Sequence, residues 1–76
     1  SMGDAARESA KSARRLAAKY RKCARDAEAA SKKPESKYGR FCALSRINFL
    51  DRAELQETIA RRWDAFALSI TGESLT

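Results

Sequence analysis

Seventy-six residues suffice for one small domain, and a chain this short buries only about 60–65% of the surface its unfolded form exposes. Two cysteines and no histidine exclude a single-chain zinc site of four thiolates or of mixed Cys/His ligands, and leave acid–base catalysis without its commonest residue. The formal net charge of +6 lies wholly in the first half: residues 1–37 carry eleven Lys/Arg against five Asp/Glu, and residues 38–76 carry five of each.

Charge asymmetry of this kind points to an acidic partner, unless the basic half is only a solvated surface. The composition is globular, with 43% hydrophobic residues, one proline and three glycines, but much of the apolar share is alanine. No window approaches the ~18 continuous apolar residues of a membrane span. Free thiols at Cys23 and Cys42 and an intracellular location, cytoplasmic or nuclear, are the expectation.

In chain order, Ser1 before Met2 reads as a cloning remnant, with residues 1–3 a flexible start to a piece of something larger. Residues 4–32 predict a long basic amphipathic helix, because Ala, Arg, Lys and Glu dominate and no Gly or Pro interrupts them. On a helical wheel Arg7, Lys11, Arg14, Arg15, Lys19, Arg21, Lys22 and Arg25 share one broad arc. Opposite them, Ala6, Ala10, Ala13, Ala17, Tyr20, Ala24 and Ala27 alternate spacings of four and three, the mark of a heptad seam. Leu16 and Cys23 lie beside that seam, whose small side chains admit a close neighbour.

Residues 33–39 read as a linker around Pro34 and Gly39. Across 40–70 the pattern predicts a short apolar helix carrying Phe41, Leu44 and Ile47, followed by a capped core helix. Asp51 and Glu54 have the form of a capping box, and Leu50 and Leu55 of a hydrophobic staple. Beyond them Leu55, Ile59, Trp63, Phe66 and Ile70 form an apolar stripe at helical spacing, expected to build most of the core. Gly72 is the expected stop, with 71–76 a polar tail.

The fold class implied is all-α: a helical hairpin or three-helix bundle whose long basic first helix is expected either to project or to pair across a dimer. Catalytic residues, metal sites and cofactors are not expected, since neither a glycine-rich phosphate loop nor a pair of carboxylates in a cleft is evident. The function implied is a helical protein–protein interaction or oligomerisation module. Its partner would be a second copy or another helical protein, with the eight-residue basic arc facing an acidic surface. Trp63 and Phe66, with Arg62 at the margin, are interface anchors if they are not core. A nucleic-acid backbone is the alternative partner, because several cations on one helical face suit phosphates. A membrane surface is disfavoured, since an interfacial helix needs Trp, Phe or Leu on its apolar side and this one offers alanine.

Overall fold

The computed structural model describes the backbone of residues 1–32 and 39–71, with side chains for 1–32 and 44–70. Two α-helices, α1 (Met2–Ser31) and α2 (Gly39–Thr71), make up this part of the chain, and no strand occurs among the described residues. They lie side by side and antiparallel in an all-α hairpin 56 × 17 × 15 Å across.

α1 begins earlier than the sequence predicts. Ser1 is its N-cap: the Asp4 N–H donates to Ser1 Oγ at 3.2 Å and the Ala5 N–H to the Ser1 carbonyl at 3.0 Å. Serine is among the favoured caps, and Asp4 places a negative charge in the first turn, where the helix dipole welcomes it. The expected flexible start at 1–3 is therefore corrected to a cap and a first turn. Gly3 is buried there and extends the seam one step toward the N-terminus. At the other end the Lys32 N–H donates to the Ala29 carbonyl at 3.3 Å, and Ser31 Oγ donates to the Glu28 carbonyl at 2.7 Å.

α2 is the larger departure. The sequence predicts a short helix and then a new one starting at Asp51, yet α2 runs unbroken for 33 residues. The capping box of Asp51 and Glu54 lies inside it and caps nothing. Among the described residues there are two helices, and of the two expected architectures the hairpin is the one that fits. Local cap chemistry is worth about 1 kcal/mol, and packing along the whole of α1 outweighs it because helical stability in proteins comes mainly from such packing. Gly39, assigned by the sequence to the linker, is the first residue of α2. The rest of that linker and the polar tail beyond Thr71 lie outside the described residues.

The interior is built from alanine. Ala6, Ala10, Ala13, Ala17 and Ala24 of α1 are buried, as are Ala53, Ala60 and Ala67 of α2, which recur every seventh residue. Ala10, Ala13 and Ala60 form its centre, with Ile59 packed against them. The expected core stripe is corrected accordingly. Leu55 is 58% exposed, Ile70 43%, Trp63 40% and Phe66 39%. At about 100° per residue, the stripe sits beside the alanine row of α2 and not within it. Two alanine rows let the helices approach too closely for large side chains to fit between them. Each buried methyl contributes only about 0.8 kcal/mol, so the hairpin is held by many small contacts.

Candidate interaction surface

The seam divides the surface into two flanks and two outer faces. One flank is ionic. Arg14 of α1 pairs with Asp64 of α2, and Arg21 pairs with Glu57, the Arg21 Nε–H donating to Glu57 Oε2 at 3.3 Å. Both steps are seven residues, in opposite chain directions, so these pairs fix the antiparallel register. Glu57 is held below its ordinary value of 4.5 by the hydrogen bond from Arg21 and by the charges of Arg21 and Arg61, against an opposing push from burial. The Arg21 guanidinium is correspondingly held above its usual range, chiefly by the hydrogen bond to Glu57.

A pH dependence follows from that shift. Below 4.5 the unfolded chain takes up the Glu57 proton that the folded hairpin resists. The pair's contribution is therefore complete above 4.5 and is lost as pH falls through the lower folded value. Thermal melts across this acid range should fall less steeply for Glu57→Gln than for the parent chain. Parallel profiles would contradict the pairing. Both side chains are more than a third exposed, so added salt should weaken the difference.

The second flank is apolar. Leu16 of α1 shares a groove with Ile59 and Trp63 of α2, and Phe66 meets Trp63 edge to face at 6.1 Å between centroids. A groove of about 410 Å³ runs between the helices here, lined by Glu8, Ser9, Ser12, Ala13, Leu16, Gln56 and Ile59 and bounded by Trp63, so that its α1 side is largely polar. A second hollow of about 370 Å³ adjoins it between Ile59, Arg62, Trp63 and Phe66. Arg62 thus borders the aromatic pair. Nearer the start of α2 the seam changes character. Tyr20 takes the place of an alanine, stacks on Phe49 at 6.4 Å and lies beneath the Arg52 guanidinium at 6.0 Å.

Most of the predicted basic arc is engaged within the chain. Arg7 pairs with Asp4 at 3.7 Å, Lys11 with Glu8 at 3.4 Å and Lys22 with Asp26 at 3.2 Å, while Arg14 and Arg21 reach across to α2. Arg15, Lys19 and Arg25 form no ion pair among the described residues and are exposed on α1. Of the predicted seam, Ala6, Ala10, Ala13, Ala17 and Ala24 are buried and Tyr20 and Ala27 are half-buried, against α2 of the same chain. Sequence reasoning missed Ala53, Ala60 and Ala67, and the acid partners Glu57 and Asp64; the signal was their common spacing of seven.

Cys23 is a free, exposed thiol, and the side chain of Cys42 lies outside the described residues. Among the described residues no group of three or more His, Cys, Asp or Glu stands close enough to hold a metal ion, and no helix is long and apolar enough to cross a membrane. Comparison with protein-family models, curated proteins and solved structures finds no significant match to this chain.

Proposed function

We propose that the hairpin is a helical protein–protein interaction module that docks through its apolar flank. The observation that carries this reading is the inversion of the usual order. Alanines fill the seam, while Leu16, Ile59, Trp63 and Phe66 gather on one surface flank. Contiguous apolar surface of that kind marks interaction sites, and aromatic residues dominate interface energetics. Ile59 also packs against the alanine seam, while Leu16, Trp63 and Phe66 each keep more than a third of their surface exposed and open to a partner. The double variant Trp63→Gln, Phe66→Gln should keep its helical circular dichroism and lose both apolar-dye binding and association measured by light scattering. Unchanged dye binding and association would overturn the reading.

The outer face of α1 supports an electrostatic role for the same module. Arg15, Lys19 and Arg25 span about 15 Å of helix without carboxylate partners among the described residues, which suits steering toward an acidic protein surface. The same three cations favour a second reading, contact with a nucleic-acid backbone. Three phosphate contacts give a slope of log affinity on log salt of only about −2.7 for a duplex. Anisotropy titrations with labelled duplex, at low and near-physiological salt, should show that slope and lose binding in Arg15→Glu, Lys19→Glu, Arg25→Glu. A triple variant that binds the duplex as the parent does would remove the nucleic-acid reading.

A further inference from the structure

The apolar flank fits one occupant best. We infer that it is covered by the same flank of a second copy of this chain, in a two-fold pairing that makes a four-helix bundle; this deepens the interaction reading above and rests on it.

Three observations lead there. The first is area. The folded chain exposes 5706 Å², about 1,000 Å² more than the ~4,700 Å² of a compact monomer of its mass. A stable interface of ordinary size removes about 800 Å² from each partner, so one such contact accounts for most of the excess. The radius of gyration tells the same story, at 17.1 Å against about 11 Å for a compact domain of this length.

The second is shape. A two-fold interface must be self-complementary: what protrudes from one copy has to enter a recess on the same patch of the other. This flank carries an aromatic pair and a recess. Trp63 and Phe66 present part of their rings to solvent there, 40% and 39% exposed. The groove lined by Ser9, Ser12, Leu16 and Gln56 lies immediately alongside and has room for an aromatic ring. Two-fold rotation sets the aromatic pair of each copy against the groove of the other. The small hydroxyl side chains of Ser9 and Ser12 keep that groove open on the α1 side.

The third is charge. Two copies at +6 each repel, so a self-interface must keep its unpaired cations out of contact. Arg15 lies about 100° around α1 from Leu16 and Arg25 about 180°, whereas Lys19 lies only about 60° away and Arg62 borders the flank itself. Pairing of the apolar flanks therefore leaves Arg15 and Arg25 in solvent, where salt screens them, and places Lys19 and Arg62 at its edge, so the association should strengthen as salt rises. A chain whose described buried residues are nearly all alanine also gains most from a partner that is present whenever the chain itself is, and a second copy meets that condition.

Sedimentation equilibrium of the whole chain, with the emission of its single tryptophan followed in parallel, tests the inference. The expected result is a mass twice 8.5 kDa and a shift of Trp63 emission to shorter wavelength as concentration rises. Phe66→Glu on the aromatic side and Ser12→Arg in the groove should each return the chain to 8.5 kDa with its helical circular dichroism retained. A parent chain of 8.5 kDa at every concentration overturns the inference whether or not the variants fold. If that monomer still binds an apolar dye through the flank, the interaction reading survives and the second copy does not; if it binds none, both fail. A doubled mass that neither variant reduces, with Trp63 emission unchanged by concentration, places self-association elsewhere and also overturns the inference.

Discussion

Leucine in place of Ala60 should destabilise the hairpin by about 1–3 kcal/mol, the usual range for extra methylenes forced into a filled interior. Ala60 is 1% exposed and meets Ala10 and Ala13 at the centre of the seam. An isobutyl group there has no void to enter, so it must push α1 and α2 apart, and separation at one point loosens the alanine contacts on either side. Small scaffolds seldom hold more than about 3–5 kcal/mol in reserve, and each kcal/mol lost moves the melting midpoint of a domain this size by about 4–8 °C. The change should appear as a large drop in urea or thermal midpoint. Ala65→Leu, on the exposed outer arc of the same helix, is the control. Alanine and leucine have nearly equal helix propensity, so that variant should melt like the parent chain. If both variants melt together, the helices do not meet at Ala60 and the seam is wrong.

The contrast between Ala60 and Ala65 also explains what could be read from the sequence. The alanine arc of α1 was legible because its members recur at four and three, and nothing large competes on that side except Leu16 and Tyr20. The matching row in α2 was not, although Ala53, Ala60 and Ala67 stand at a regular seven. They are embedded among leucine, isoleucine and aromatic residues, and a search for the apolar face weights large side chains above small ones. That search led to Leu55, Ile59, Trp63, Phe66 and Ile70, which are apolar and in helical register but lie on the flank. Which of two apolar stripes faces inward depends on the partner helix, whose alanine row meets the alanine row of α2 with Ile59 at its edge. The ion pairs were hidden for a related reason. Arg14 and Arg21 read as part of a basic face until the antiparallel register brings Asp64 and Glu57 opposite them. Neither helix carries that register alone.

Proline in place of Arg52 distinguishes the two accounts of α2 directly. If a helix began at Asp51, Arg52 would be its first helical position, where proline is favoured because the N–H has no acceptor and the fixed φ suits the turn. In the unbroken helix Arg52 lies deep in the interior. Proline there removes the hydrogen bond to the Asn48 carbonyl and drives its ring against that same group, at a cost of about 3 kcal/mol or more. A loss of that size approaches the whole reserve of a chain this small, so helical circular dichroism should fall sharply and the urea transition should move to low denaturant. Removal of the arginine side chain alone is the necessary comparison, because its guanidinium sits over the Tyr20 ring. Arg52→Ala forfeits only that contact, about 0.5–1 kcal/mol at an exposed site. A wide gap between the two variants follows from a continuous α2, since only the backbone defect separates them. Coincident melts would mean that the chain tolerates a helix start at this point, that the Asp51–Glu54 box acts as a cap, and that the third helix read from the sequence exists in solution.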